Sequence, residues 1–367
     1  MLRFSISFGI VKTIGCERAG SRKSAEHLLC LCIYTVLWLP YQTGDSIQSG
    51  IVLVPMIILR PNQRPQFSGH ETFPLRQLWL RKAYDAVAYY RNLGLTAPKT
   101  VFSEDSAIAR FGVGKNMVTS IRFWATACHI IEESDGGFVP TELADMLFDP
   151  ETGLDPFAEQ PATTWLMHWF LASSPEKTTT WYFIYNHVVQ QVFKRESIVD
   201  ALSGMISEHN LRISLATLKR DVECCIRSYV PKLGGDSPEE ISEPLLGELG
   251  LIQQNTKDSF EFRRGAKRSL PDGVFAYALL DYWENLGQSG SVMAFDRVAH
   301  DYGSPGRVFK LDEHAVADRL MGLEQLSKGQ LLWTEQAGIR QVTRQGNALN
   351  DIKKAKSTFL KAAYAKA

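Results

Sequence analysis

Residues 103–139, SEDSAIARFGVGKNMVTSIRFWATACHIIEESDGGFV, together with the preceding Phe102, read as a complete winged helix-turn-helix. Ser103 is suited to cap a helix, Glu104 and Asp105 sit in its electropositive first turn, and Ala107, Ile108 and Phe111 recur at helical spacing. Gly112 breaks that helix. A second helix is predicted from about Gly114 to Cys128, with Val118, Ile121 and Trp124 or Ala125 on one face and Lys115, Asn116, Thr119, Ser120 and Arg122 on the others. Val118 and Ile121 follow Gly112 at the spacing that lets two helices cross after a tight turn. Ile130 and Ile131, then Ser134 to Gly137, then Phe138 and Val139 predict a strand, a turn tolerant of positive φ and a returning strand, which together make the wing. Such a module places one helix in DNA or docks another protein. The segment's nearly balanced charge leaves both uses open.

Working outward, the 367 residues suffice for two or three domains, and 45% apolar with 22% charged residues describes an ordinary globular chain. Forty basic and forty acidic residues give no net charge, so any affinity for nucleic acid must come from locally sorted charge. One such sorting closes the chain: Arg340, Arg344, Lys353, Lys354, Lys356, Lys361 and Lys366 stand against Asp351 alone, among alanines that favour a solvated terminal helix. Cys16, Cys30, Cys32, Cys128, Cys224 and Cys225 form no CxxC pair or zinc-spaced cluster, which points to a reduced, cytoplasmic protein with no metal site. Cys224 and Cys225 are adjacent on a predicted helix, so at least one of them faces its core.

Residues 1–66 differ from the rest. They show no clear period and hold two apolar runs, Leu28 to Pro40 and Ile51 to Leu59, each shorter than the roughly 20 residues of a spanning helix. No convincing cleavage site follows Arg18, Arg22 and Lys23, so a signal peptide is a poor match. The expectation is a poorly ordered extension or a mis-assigned start, with translation beginning near Met56; a membrane-associated extension is the rival.

From Phe67 the run FSGHETFPLRQLWLRKAYDAV resembles the opening of the bacterial family catalogued as domain of unknown function 4007. The resemblance continues through 103–127, LFDPETGLDPFAEQPATTWLMHWFLASSPEKTTTWYFIYN at 147–186, TLKRDVECCIRSYVP at 217–231 and SPGRVFKLDE at 304–313, covering nearly all of residues 67–345. It implies no established activity and no catalytic positions to carry over. It also implies an association with genes for phosphoadenosine phosphosulfate reductase-like sulfur-transfer proteins in DNA phosphorothioation and phage-defence islands. The long N-terminal extension departs from the family's usual start.

Taken as chemistry, His70, Glu71 and Arg76 in FSGHETFPLR suit acid-base work or phosphate contact if they share a pocket. Taken as structure, Ser68 or Thr72 caps a helix starting near Pro74, anchored by Leu75, Leu78, Trp79 and Tyr84. The structural reading is the stronger. Trp165 to Trp169 likewise fits core packing, with His168 a satisfied buried histidine and not a ligand. Leu154 to Tyr185 is an aromatic-rich helical connector.

Beyond the connector, SIVDALSGMISEHN and SLATLKRDVECCIRSYV predict two helices, the second opening on Ser214 with Thr217, Lys219 and Arg220 near its first turn. Its Thr-Leu-Lys-Arg-Asp run resembles the reading helix of DeoR-type bacterial repressors; a plain bundle helix reads equally well. Leu251 and Ile252, then Phe260 to Phe262, flank the turn-rich 255–259, and Arg263, Arg264, Lys267 and Arg268 make this the most cationic wing. A third unit follows: helices over Ala276 to Leu286, Phe295 to Tyr302 and Asp312 to Leu323, then a hairpin with arms Gln330 to Thr334 and Gly338 to Thr343.

The fold expected is therefore mainly α, with tandem winged helix-turn-helix-like units and small β-hairpin wings around a helical core. The divisions expected are 1–66 as the extension, 67–150, 151–195 as connector, 196–272, 273–345 and a basic helix at 346–367. No P-loop, GxGxxG, GxSxG, HExxH or paired nuclease carboxylates appear, so the residues call for no cofactor and no catalytic metal. The leading functional expectation is a non-catalytic accessory or specificity protein that binds double-stranded DNA. Lys115 and Asn116 would lie near base edges, Thr119, Ser120 and Arg122 near the backbone, with Lys219, Arg220 and the cationic wing assisting. The alternative is a scaffold that docks a sulfur-transfer or ATPase partner without touching DNA. A third possibility is an enzyme using His70 and Glu71.

Overall fold

The computed structural model describes residues 64–230, 244–287, 290–345 and 351–365, and, as backbone strands, 35–43 and 46–54. The expected start near Met56, the cysteines at 16, 30 and 32, and Lys366 lie outside the described residues. Within residues 1–56, β1 (Thr35–Thr43) pairs with β2 (Ser46–Val54) in antiparallel register from Thr35 opposite Val54 to Thr43 opposite Ser46. The two apolar runs thus include paired strands, which the lack of alternation had hidden. Among the described residues no helix is long and apolar enough to cross a membrane.

Residues 57–367 pack as one compact unit. The chain there is mainly helical with small antiparallel sheets, and one element order occurs three times. First come α1 (Trp79–Asn92), β3 (Ala97–Pro98), α2 (Asp105–Phe111), α3 (Lys115–Ala127), β4 (Ile131–Ser134) and β5 (Gly137–Pro140). After α4 (Glu142–Phe148) and α5 (Pro161–Ser173) the order repeats: α6 (Thr179–Asn186), β6 (Val192–Lys194), α7 (Arg195–Glu208), α8 (Leu215–Arg227), β7 (Ile252–Thr256) and β8 (Ser259–Phe262). The third pass is α9 (Asp272–Asn285), β9 (Val292–Ala294), α10 (Phe295–His300), α11 (Pro305–Val308), α12 (Glu313–Met321), α13 (Leu323–Leu326), β10 (Leu331–Gln336) and β11 (Ile339–Arg344). A last helix, α14 (Ile352–Tyr364), follows.

In each pass the second hairpin arm lies at the centre of a three-stranded sheet, between the first arm and a short strand from before the second helix. Those short strands carry two or three residues, too few for any sequence period. They are placed by pairing, as with Ala97 opposite Phe138, Phe193 opposite Phe260 and Met293 opposite Val342. The hairpins follow the turn residues: Asp135 and Gly136, and Ala337 and Gly338, have consecutive positive φ, the two-residue turn whose twist matches antiparallel strands.

Helix ends differ from expectation in three places. Ser103 does not cap α2; Glu104 takes the N-cap position and pairs with Arg110 at 3.2 Å. No helix begins near Pro74, because Glu71, Thr72 and Leu78 all have positive φ and α1 starts only at Trp79. The expected amphipathic helix at Ala276 begins at Asp272 and is buried on nearly all sides from Gly273 to Trp283, sheathed in part by α14. That last helix is not simply solvated: Phe359, Leu360 and Tyr364 are buried, and Lys356 reaches Asp281 at 2.7 Å and Glu284 at 2.6 Å.

The connector α5 is buried from Ala162 to Ala172. His168 lies wholly inside, its Nε2 2.9 Å from the Val308 carbonyl and its Nδ1 2.8 Å from the Tyr229 hydroxyl. A carbonyl only accepts, so Nε2 carries the proton and Nδ1 accepts from the phenol. Burial pushes this imidazole down to about 3, so it is a neutral core group. Cys224 and Cys225 are both buried thiols.

Candidate nucleic-acid interface

The surface of α3 is set by the turn before it. Gly112 ends α2 in the left-handed region, its N–H donating to the Ile108 carbonyl at 2.9 Å, and Gly114 caps α3. Val118, Ile121, Trp124 and Ala125 are then buried, while Lys115 and Asn116 are exposed and have no side-chain partner among the described residues. Thr119 is half-buried, its hydroxyl 3.4 Å from the Lys115 carbonyl. Arg122 is half-buried at a cleft of about 230 Å³ that Gly69, Phe123, Glu133 and Lys177 also line.

Ser120 must be removed from this surface. It has no exposure, and its hydroxyl donates to the His70 carbonyl at 2.9 Å. The loop from Phe67 to Phe73 covers that side of α3, a contact across fifty residues that helical periodicity does not reveal.

That loop is strained and held from within. Gly69 has φ 121°, and a Cβ there would strike the Phe123 ring. His70 is 3% exposed; its Nδ1 accepts from the Thr72 N–H at 3.0 Å, so Nε2 carries a proton and donates to Asp221 Oδ1 at 2.6 Å. The other Asp221 oxygen accepts from the Thr180 hydroxyl, and the imidazole stacks on Trp124 with Trp181 at its edge. His70 therefore ties the loop to α3, α6 and α8. Glu71 is exposed, and Arg76 lies over the Trp79 ring, 5.4 Å from its centroid. His70 is thus engaged with Asp221 and not paired with Glu71. Asp221 was missed because, within Thr-Leu-Lys-Arg-Asp, it reads as one more surface charge.

In the second pass, Ser214 caps α8 by accepting from the Thr217 N–H at 3.0 Å. Leu218, Val222 and Cys225 are buried, leaving Lys219 and Arg220 exposed without an ionic partner among the described residues. The four cations expected on its wing lie elsewhere. The hairpin tip is Lys257 and Asp258, whereas Arg263, Arg264, Lys267 and Arg268 follow β8 on the segment leading to α9. The strand runs back from the tip before they occur. Arg263 Nε donates to Gln253 at 3.1 Å, Arg264 to the Val189 carbonyl at 3.1 Å and Lys267 to the Arg263 carbonyl at 2.6 Å. Burial pulls Lys267 down to about 8, opposed by Asp312, whereas Arg268 is exposed.

These features define a mainly helical chain in which one helix-strand-helix-helix-hairpin order recurs and the helix ahead of the first two hairpins carries open cationic positions. The chain belongs to the family described as protein of unknown function (DUF4007), whose model matches residues 67–364. The family carries no assigned activity. The chain is similar to the crystal structure of magnesium ion-bound SspB, at 27% identity and a TM-score of 0.71 over 83% of this chain and 90% of that one. It is also similar to the SspB crystal structure, at 26% identity and a TM-score of 0.70 over the same shares. No curated protein matches. Among the described residues no three His, Cys, Asp or Glu side chains converge to hold an ion such as that neighbour's magnesium.

Proposed function

We propose that this protein is a non-catalytic DNA-binding accessory or specificity subunit, acting in the cytoplasm as part of a bacterial DNA-modification or phage-defence system. One observation carries the reading. Three times a helix, a short strand, two or more helices and a hairpin follow one another with the second hairpin arm central in its sheet, an order that suits a winged helix, and in two of the three units the helix before the hairpin presents polar side chains without a partner among the described residues. In this reading α3 enters the major groove with Lys115 and Asn116 at base edges, and Thr119 and Arg122 face the backbone. A good contact of either kind is worth about 1–3 kcal/mol of base discrimination. Lys219 and Arg220 do the same for α8 or hold phosphate. Arg263, Arg264 and Arg268 add sequence-independent phosphate contact from the flank.

The family resemblance supports the system: a DNA phosphorothioation or phage-defence island, with a phosphoadenosine phosphosulfate reductase-like protein supplying the sulfur chemistry. Binding of the full chain to duplex DNA, with and without phosphorothioate, across a salt series tests the reading. Salt-dependent binding that a Lys115→Ala, Asn116→Ala, Arg122→Ala variant loses supports it. No binding to any duplex rejects it. A second reading, a docking scaffold for a sulfur-transfer or ATPase partner, is favoured by the exposed Tyr89, Leu93 and Leu95 at the end of α1. Retained partner binding in the absence of any DNA binding would select it.

A further inference from the structure

Where the second and third units meet, four cations gather without a matching acid. Lys310 is 3% exposed, and its ammonium donates to the Tyr185 carbonyl at 2.7 Å and stands 4.0 Å from the centre of the Phe262 ring. Arg307 grips the Asn186 carbonyl and, at 2.6 Å, the His300 carbonyl. Arg264 donates to the Val189 carbonyl and Lys267 to that of Arg263. All of these hydrogen bonds go to backbone oxygens, and among the described residues none of the four makes an ion pair, although elsewhere basic side chains repeatedly find carboxylates. Asp312 acts on Lys267, but its carboxylate is engaged in capping α12, where it accepts from the Ala315 N–H at 2.8 Å.

Two further observations concern the same place. His187, next to the Asn186 carbonyl that Arg307 holds, is 3% exposed, and neither of its ring nitrogens has a hydrogen-bond partner among the described residues. Its ring is fixed by stacking on Tyr302 at 4.2 Å. Lys310 is held in place by the backbone: it is the left-handed residue, φ 53°, that closes α11, its N–H donating to the Arg307 carbonyl at 3.1 Å and the Leu311 N–H to the Gly306 carbonyl at 2.9 Å. Burial, then the charges of Arg264, Arg307 and Lys267, pulls its ammonium well below the ordinary lysine range. Of the four only Lys310 is buried, Lys267 and Arg307 being half-buried and Arg264 exposed, and a buried cation repelled by its neighbours is stabilised by an anion beside it.

We propose that Arg264, Lys267, Arg307 and Lys310, with His187 beside them, form a binding site for a phosphate group. Two guanidinium forks and two ammonium groups suit a multiply charged oxyanion with several acceptor oxygens better than a monocarboxylate. The phosphate belongs to a DNA backbone or to a free phosphate compound. In the first case the site deepens the DNA-binding reading and rests on it; in the second it stands apart from it.

The test uses the full chain, with Arg264→Gln and Lys310→Met, and Lys328→Gln as an exposed control outside the cluster. Thermal melting is followed with inorganic pyrophosphate against chloride at matched ionic strength, and duplex affinity is measured over a salt series. For a free phosphate, pyrophosphate raises the wild-type midpoint by several degrees, Lys310→Met loses the response and Arg264→Gln needs about tenfold more pyrophosphate. For a backbone phosphate, pyrophosphate has no effect, but each variant weakens duplex binding about tenfold and lowers the salt slope by about one. The proposal is overturned if wild type shows no pyrophosphate response and neither variant alters duplex binding. It is equally overturned if Lys328→Gln behaves like the cluster variants. If Lys310→Met does not fold, Arg307→Gln takes its place, since Arg307 has no part in the flanking phosphate contacts. Without a pyrophosphate response, duplex binding sensitive to Lys115 and indifferent to Arg264 and Lys310 sinks this site and spares the DNA-reading helix; a pyrophosphate response without duplex binding does the reverse.

Discussion

The surroundings of His70 and of Lys310 both take ionisable groups out of water, and they do it in opposite ways. At His70 every polar atom is answered: Asp221 accepts from the imidazole, Thr180 occupies the second carboxylate oxygen, and Thr72 donates to the remaining ring nitrogen. At Lys310 the charge is held by the Tyr185 carbonyl and by the Tyr185 and Phe262 rings, beside a histidine whose nitrogens have no partner among the described residues. A closed network locks elements together; an open one has capacity left for something else. His168 belongs with the first kind and His187 with the second, although burial pushes both imidazoles down to about 3.

The largest expected effect breaks the closed network. Asp221→Ala leaves His70 and Thr180 without their acceptor, two buried donors at about 1–3 kcal/mol each, and should destabilise the chain by about 2–6 kcal/mol in urea unfolding. A loss below 1 kcal/mol would mean the network is not a lock. On the solvated side, Lys115→Ala and Asn116→Ala should each reduce affinity for a preferred duplex by about 1–3 kcal/mol, with stability unchanged. Loss of stability in place of affinity would assign these positions to the scaffold.

The two histidines separate open from closed directly. A histidine that stays neutral when folded refuses a proton that the unfolded chain accepts below 6.5, its ordinary value. Its stability contribution is therefore complete above pH 6.5 and is lost as pH falls toward 3, by up to about 1.4 kcal/mol per pH unit per histidine. His168→Phe should cost about 1–3 kcal/mol already at pH 7.5, because it orphans the Tyr229 hydroxyl and the Val308 carbonyl. His187→Phe should be nearly neutral at pH 7.5 and flatten the acid slope by one proton; equal costs at pH 7.5 would erase the distinction. The smallest effect is local: Ser214→Ala removes the α8 cap and should cost about 1 kcal/mol, read as a small fall in the melting midpoint.

Much of the architecture was legible because it is local. Gly112 and Gly114 bracket α3, Asp135 and Gly136 make a turn, and Asp312 caps a helix, each within a few residues of the element it shapes. What stayed hidden is non-local. The short strands β3, β6 and β9 exist only by pairing with distant hairpin arms, and the strain at Glu71, Thr72 and Leu78 arises where other elements hold the backbone. The candidate surface was legible on α3 at Lys115 and Asn116, where exposure follows helical phase. It failed at Ser120, because a loop covers that side, and at Arg263 to Arg268, because the hairpin had already turned back. The cluster around Lys310 was invisible since its cations come from two separate segments: Arg264 and Lys267 read as part of a wing, and Arg307 and Lys310 as surface charges.

The placement of α14 bears on how the chain acquires this form. Its Lys353 reaches Glu142 at 2.6 Å and its Tyr364 hydroxyl reaches Thr163 at 2.8 Å, contacts that span 211 and 201 residues. Contacts of such sequence separation close late, since the entropy of the intervening loop must be lost first. On the ribosome, the early helices around α5 must wait with part of their apolar surface unshielded until the chain has emerged through α14. That interval is when a chaperone has most reason to hold it.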